Sequence, residues 1–111
     1  MNLDKTPRAK EDFEKFWLNY EMENEILDWI YYKDFYKLPL SMKFGVFVDY
    51  AESKGYYADI LCIEAGYEVC IWRFFNHKLH RESDIMDYIT LNEARQTAVE
   101  KLFELIEKEL K

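Results

Sequence analysis

Apolar residues recur at three- and four-residue steps through the N-terminal third of the chain: Phe13, Phe16, Trp17, Tyr20, Leu27, Ile30 and Tyr31. That spacing gathers them on one face of a helix. Thr6-Pro7 ahead of them reads as an N-cap followed by proline at the first helical position, where a missing N–H costs nothing. Asn24 is a second candidate cap, so the stretch is read as one helix or as two. Pro39 disfavours helix at Leu38 and closes the region.

Residues 41–55 carry two periods. Phe44, Val46, Val48 and Tyr50 alternate as a strand would. Ser41, however, is a good N-cap, and Tyr50-Ala51-Glu52-Ser53-Lys54-Gly55 reads as a helix ending on a C′ glycine. The cap signals favour helix. Tyr56–Ile63 and Tyr67–Phe75 are rich in β-branched and aromatic residues and flank Glu64-Ala65-Gly66, which predicts an antiparallel hairpin. A two-residue turn at Ala65-Gly66 sets Cys62 opposite Val69 and sends the thiols of Cys62 and Cys70 to opposite faces. A three-residue turn sets the two cysteines opposite each other. Both strands are apolar at odd and even positions alike (Ile60, Leu61, Cys62 and Ile63; Val69, Cys70, Ile71, Trp72 and Phe74), which predicts cover on both faces.

Asn76–Asp84 reads as a polar loop, and Ile85–Ile89 as a short third strand. Thr90-Leu91-Asn92-Glu93 is a capping box. It opens a helix carrying Ala94, Ala98, Val99, Leu102, Phe103, Ile106 and Leu110, with Glu104–Lys108 and Glu107–Lys111 in the favourable i,i+4 order. The expected fold is one α+β domain over residues 1–111. An antiparallel β-hairpin or small three-stranded sheet packs with N-terminal, central and C-terminal helices.

Composition narrows the function. The 111 residues are half apolar and 18% aromatic, enough for an ordered core. The formal net charge of −7 disfavours direct binding of nucleic acid and favours encounter with a protein partner that has a basic surface. The opening Met1-Asn2-Leu3-Asp4-Lys5 has no apolar run, so no signal peptide is expected. No stretch approaches the ~18 apolar residues of a membrane span, so no membrane partner is expected. A cytoplasmic location follows, with Cys62 and Cys70 as thiols.

Candidate chemistry is sparse. His77 and His80 lie near Glu82 and Asp84, but a closed zinc site needs four ligands, and a solvated loop is the simpler reading. With Lys78 and Arg81 they form a local basic spot. Asp59 and Glu68 could serve as a carboxylate pair only in a concave apolar site. A Cys–His pair would need a histidine folded back onto the hairpin. No metal, cofactor or catalytic residue is assigned. The chain is read as non-enzymatic, against the alternative of a small enzyme using the His77/His80 loop.

Trp17, Trp29, Trp72, Phe44, Phe47, Phe74 and Phe103 are read as core. A helix cannot turn every ring of Trp29-Ile30-Tyr31-Tyr32-Lys33-Asp34-Phe35-Tyr36 toward one core. Tyr31, Tyr32, Phe35 and Tyr36 are therefore candidate protein-binding residues, for a partner or a second copy in a homo-oligomer. The competing reading packs the tyrosines over Leu38-Pro39-Leu40. On one continuous helix Glu11, Glu14, Glu21, Glu25 and Asp28 fall within about 100° of each other. Such a stripe is a solvated face or, if the helix is unbroken, a phosphate-like surface for a basic channel.

The stretches Tyr36-Lys37-Leu38-Pro39-Leu40-Ser41-Met42-Lys43-Phe44-Gly45-Val46-Phe47-Val48-Asp49-Tyr50 and Thr90-Leu91-Asn92-Glu93-Ala94-Arg95-Gln96-Thr97-Ala98 resemble small proteins of bacteriophages and mobile elements. The resemblance implies a bacterial host cytoplasm and brings no cofactor or catalytic residue. Small acidic phage proteins include inhibitors of host defence enzymes. The expectation is thus a protein-interaction module of phage or mobile-element type, with Glu14, Glu21, Glu25 and Asp28 at the rim of its contact surface. The alternative is an acidic, nucleic-acid-mimicking inhibitor of a host defence nuclease or another basic protein.

Overall fold

The structure, a computed structural model, describes residues 3–24, 35–82 and 86–111, without the side chains of residues 20–24 and 86. A 3₁₀ turn, Leu3–Lys5, leads into helix α1, Pro7–Asn24; helix α2 is Leu40–Ser53 and helix α3 is Leu91–Leu110. Between α2 and α3 lie strands β1 (Tyr56–Ile63), β2 (Gly66–Phe75), β3 (Lys78–Arg81) and β4 (Met86–Tyr88). They form an antiparallel sheet with β2 central, β1 on one side, and β3 and β4 along the other. The fold is α+β, with N-terminal, central and C-terminal helices.

The cap signals outweigh the alternation in residues 41–55. α2 buries Lys43, Phe47, Tyr50 and Ala51, a helical stripe. It begins two residues earlier than Ser41 suggests: Pro39 is the cap, and the amides of Met42 and Lys43 both donate to its carbonyl. It ends as expected, on Gly55 at φ +87°, whose amide donates to the Glu52 carbonyl.

The hairpin turn falls one residue earlier than Ala65-Gly66. Ile63 pairs with Gly66, which places Cys62 opposite Tyr67 and Asp59 opposite Cys70. The two thiols are free and lie on opposite faces. Gly66 is needed in the strand rather than the turn. It sits at φ +144°, and a Cβ there would run into the Tyr88 carbonyl where β4 passes. The expected loop at 76–84 is corrected as well. Phe75 pairs with Lys78, so Asn76 and His77, at φ 51° and 61°, make a two-residue turn into β3. Both dihedrals are positive, as a type I′ hairpin requires, and Asn and His enter that region more readily than most residues. β4 occupies the place of the expected third strand.

One face of the sheet carries Tyr56, Ala58 and Ile60 of β1 with Tyr67, Val69 and Ile71 of β2, and this face joins the core. Over it lie Ala94, Ala98, Val99, Leu102 and Ile106 of α3. Thr90 caps α3 as expected, its hydroxyl accepting from the Glu93 amide at 3.1 Å. The helices meet around Phe13, whose ring lies within 6.4 Å, centroid to centroid, of Phe16, Phe35, Tyr36, Phe47, Tyr50 and Phe103. Aromatic pairs at such distances add to simple area burial.

α1 is capped from a distance. Thr6 precedes Pro7, but its hydroxyl donates to the Leu3 carbonyl. The free Ala9 amide instead donates to Oε1 of Glu107 at 2.9 Å, across 98 positions of sequence. Glu107, read in the sequence as an i,i+4 partner of Lys111, is 7% exposed. A carboxylate there satisfies an orphan amide and complements the positive helix terminus. At the same end of α3, Arg73 pairs with Glu109 and lies over the rings of Tyr56 and Phe75. Burial, with a hydrogen bond to Glu109, pushes the Tyr56 hydroxyl up to about 12.

Glu107→Ala should destabilise the fold by about 1–2 kcal/mol, the range for a lost cap. Glu107→Gln, which keeps an acceptor oxygen, should cost less. Urea unfolding checks both, and an unchanged midpoint for Glu107→Ala would remove the cap from the account. Gly66→Ala should cost more than about 1 kcal/mol, since alanine disfavours that φ and meets the Tyr88 carbonyl.

Candidate protein-interaction surface

The pleat sends alternate side chains to opposite faces. Opposite the helix-covered face, β1 shows Tyr57, Asp59, Leu61 and Ile63, and β2 shows Glu68, Cys70, Trp72 and Phe74. The edge strands add Leu79 beside Phe74, Arg81 beside Trp72 and Asp87 beside Glu68. Leu61 is 56% exposed, Phe74 51% and Leu79 55%. No described element covers these three side chains, which corrects the expectation of cover on both faces. The reason lies in the helices: the apolar stripes of α1, α2 and α3 all face one core, on the inner side of the sheet.

The outer face has two ends. Tyr57, Trp72, Phe74 and Leu79 form an apolar end beside Arg81, whereas Asp59, Glu68 and Asp87 make the other end acidic around Leu61. Trp72 is half-buried, and its Nε1 has no hydrogen-bond partner among the described residues. Cys70 lies at the junction. Burial pushes its thiol up; the Arg81 charge opposes this, and Asp59 and Glu68 reinforce it. A thiol so placed is a small apolar packing group rather than an activated nucleophile.

The residues singled out in the sequence are dispersed. Phe35 is 1% exposed and packs on Trp17 with centroids 4.5 Å apart, so it is a core residue and not a contact residue. Tyr36 is half-buried against Phe13, and its hydroxyl donates to Oε1 of Glu14 at 3.3 Å. Glu21 lies on α1. Tyr31, Tyr32, Glu25 and Asp28 lie outside the described residues, as does the continuity of the acidic stripe past Asn24. Cations meet two acids of α1: Lys15 of the same helix pairs with Glu11 at 3.8 Å, and Lys54, just past α2, with Asp12 at 2.7 Å. His77 and His80 are both exposed, and no group of three or more potential metal ligands occurs among the described residues.

A shallow depression of about 220 Å³ is lined by Asp12, Lys15, Phe16, Asn19, Tyr50, Ser53 and Lys54. Its polar centre is a closed set. The Tyr50 hydroxyl lies 2.8 Å from Oδ2 of Asp12 and 3.3 Å from the Ala9 carbonyl, and Lys54 completes the pair with Asp12. Burial raises Asp12, but its hydrogen bonds to Lys54 and Tyr50, with the Lys54 charge, outweigh this and hold it below the usual carboxylate range. Burial, then Asp12, pushes Tyr50 well above the usual phenol range. Near neutrality Asp12 is therefore ionised and Tyr50 protonated, an arrangement that fixes α1 to α2 and leaves no group poised for proton transfer. Lys43 is likewise structural: burial lowers its pKa, and its ammonium donates to the Tyr36 carbonyl at 2.9 Å.

No helix among the described residues is long and apolar enough to cross a membrane. Comparison with protein-family models, with curated proteins and with solved structures finds no match.

Because Asp12 titrates lower in the folded chain than the ~3.9 of a free aspartate, it contributes stability above about pH 4, lost as pH falls through the folded value. Asp12→Asn should therefore lower the melting temperature at pH 7 and flatten its decline below pH 4. Parallel pH profiles of the two proteins would refute the pairing.

Proposed function

We propose that this protein is a non-enzymatic interaction module of phage or mobile-element type, which holds a protein partner on the outer face of its sheet in the bacterial cytoplasm. One observation carries the reading. Leu61, Phe74 and Leu79 stand more than half exposed on a face that also presents Tyr57, Ile63 and Trp72. Isolated exposed apolar residues are ordinary, but a contiguous apolar patch, such as Phe74 and Leu79 make with Trp72 and Tyr57, marks an interface. Tyrosine and tryptophan are the side chains around which binding energy concentrates. The buried and half-buried ionisable groups support the same reading, since Asp12, Tyr50, Lys43 and Glu107 are each engaged in holding elements together.

Nucleic-acid mimicry is less well supported. Of the described acids of α1, Glu11 pairs with Lys15 and Asp12 with Lys54, and a phosphate-like row needs unpaired charge.

The protein as bait in a lysate of its bacterial host should capture a partner. Leu61→Arg and Phe74→Arg, at exposed positions, should leave the melting temperature within a few degrees and lower the capture at least tenfold. Capture that both variants retain in full would exclude the outer face as the binding surface.

A further inference from the structure

The geometry points to an extended, basic segment of the partner that adds as an antiparallel strand to the free edge of β1. This rests on the outer face being the interaction surface, and it specifies what lies on it. In an antiparallel pair, residues whose backbone groups bond the neighbouring strand alternate with residues whose groups point away. The Phe74 amide donates to the Gly55 carbonyl at 2.9 Å. Counting along the β1–β2 register from that bond, Tyr57, Asp59, Leu61 and Ile63 address β2. The N–H and C=O groups of Ala58, Ile60 and Cys62 then point to the other edge, where no described strand pairs with them.

Sheets usually guard such an edge with proline, charged side chains, a bulge or brevity. β1 is eight residues long and reads Tyr-Tyr-Ala-Asp-Ile-Leu-Cys-Ile, with no proline or lysine and Asp59 as its one charge. A strand added here satisfies the outward groups and extends the exposed outer face in one step.

Charge decides the occupant. Asp59 is exposed in the middle of β1's outer row, between Tyr57 and Leu61. It would occupy a non-hydrogen-bonded position toward an added strand, where opposed side chains approach most closely. A lysine or arginine there meets Asp59, with Glu68 and Asp87 further along the same face. Apolar residues two positions to either side meet Tyr57 and Leu61. A second copy fits less well. With the helices of both copies on one side, the register centred on Asp59 opposes two aspartates, and each copy carries a net charge of −7.

The test uses a blocked peptide, Val-Thr-Val-Thr-Lys-Thr-Val, whose valines and lysine run antiparallel to Ile63, Leu61, Asp59 and Tyr57. Titration followed by amide NMR should show binding, with hydrogen exchange at Ala58, Ile60 and Cys62 slowed at least tenfold at saturation. N-methylation of the three threonines, which removes the edge hydrogen bonds, should weaken binding at least tenfold. Glutamate in place of lysine should weaken it several-fold, and Asp59→Lys should reverse that preference. Equal binding of the N-methylated peptide would overturn strand addition, and equal binding of the glutamate peptide would overturn the basic partner. Amides already slow in the free protein, together with a dimer in solution, would assign the edge to a second copy and overturn the proposal. No binding at millimolar peptide would also overturn it; the interaction reading would stand in that case if Leu61→Arg still abolishes capture from lysate, and would fall with it if capture persists.

Discussion

The rings packed about Phe13 decide which side of the sheet the helices occupy. Phe13 of α1 meets Phe47 and Tyr50 of α2 and Phe103 of α3, so the three helices share one apolar centre. The buried Glu107–Ala9 hydrogen bond locks the start of α1 to the end of α3. With α3 seated on Val69 and Ile71, the assembly has a single side on which to lie. A cavity at Phe13 would therefore loosen three helix contacts together, at the ~3–5 kcal/mol typical of a buried phenylalanine truncated to alanine. The same arrangement leaves the second apolar face of β1 and β2 without a helical layer of its own among the described residues.

That asymmetry is why the functional reading concerns a surface. Burying a leucine or phenylalanine side chain in full is worth about 1.5–3 kcal/mol, so Leu61, Phe74 and Leu79, each about half exposed, offer roughly half of that apiece before the costs of association. For the proposed basic partner, an acidic half-face around Asp59, Glu68 and Asp87 would add selectivity and a faster encounter more than affinity. The ionisable groups in the depression between α1 and α2 are occupied otherwise. Asp12 and Lys54 neutralise each other there, and the Tyr50 hydroxyl donates to Asp12.

Much of the architecture was legible because its signals are local. The capping box at Thr90–Glu93, the C′ glycine at 55 and the β-branched runs on either side of Glu64-Ala65 act within a few residues, and each appears where expected. β3 was missed because Lys78-Leu79-His80-Arg81 has one apolar residue and its turn is Asn-His, a rarer route to two positive φ values than Asn-Gly. The hairpin turn was misplaced by one residue because Gly66 answers a non-local demand, the passage of Tyr88 over its backbone. Glu107 gave no sign of its role, since its partner lies 98 residues away. The exposed face was half legible. Apolar residues at both parities were plain, but which face the helices would take depends on the meeting of all three at Phe13.

The most direct test is footprinting of the protein in complex with its captured partner, by side-chain oxidation at Leu61, Phe74 and Leu79 compared with Met42 and Leu110, which are exposed on α2 and α3. One-sided cover of the sheet predicts that the first three are protected on binding while Met42 and Leu110 keep their reactivity. Protection of Met42 and Leu110, with Leu61, Phe74 and Leu79 still open to oxidation, would contradict it.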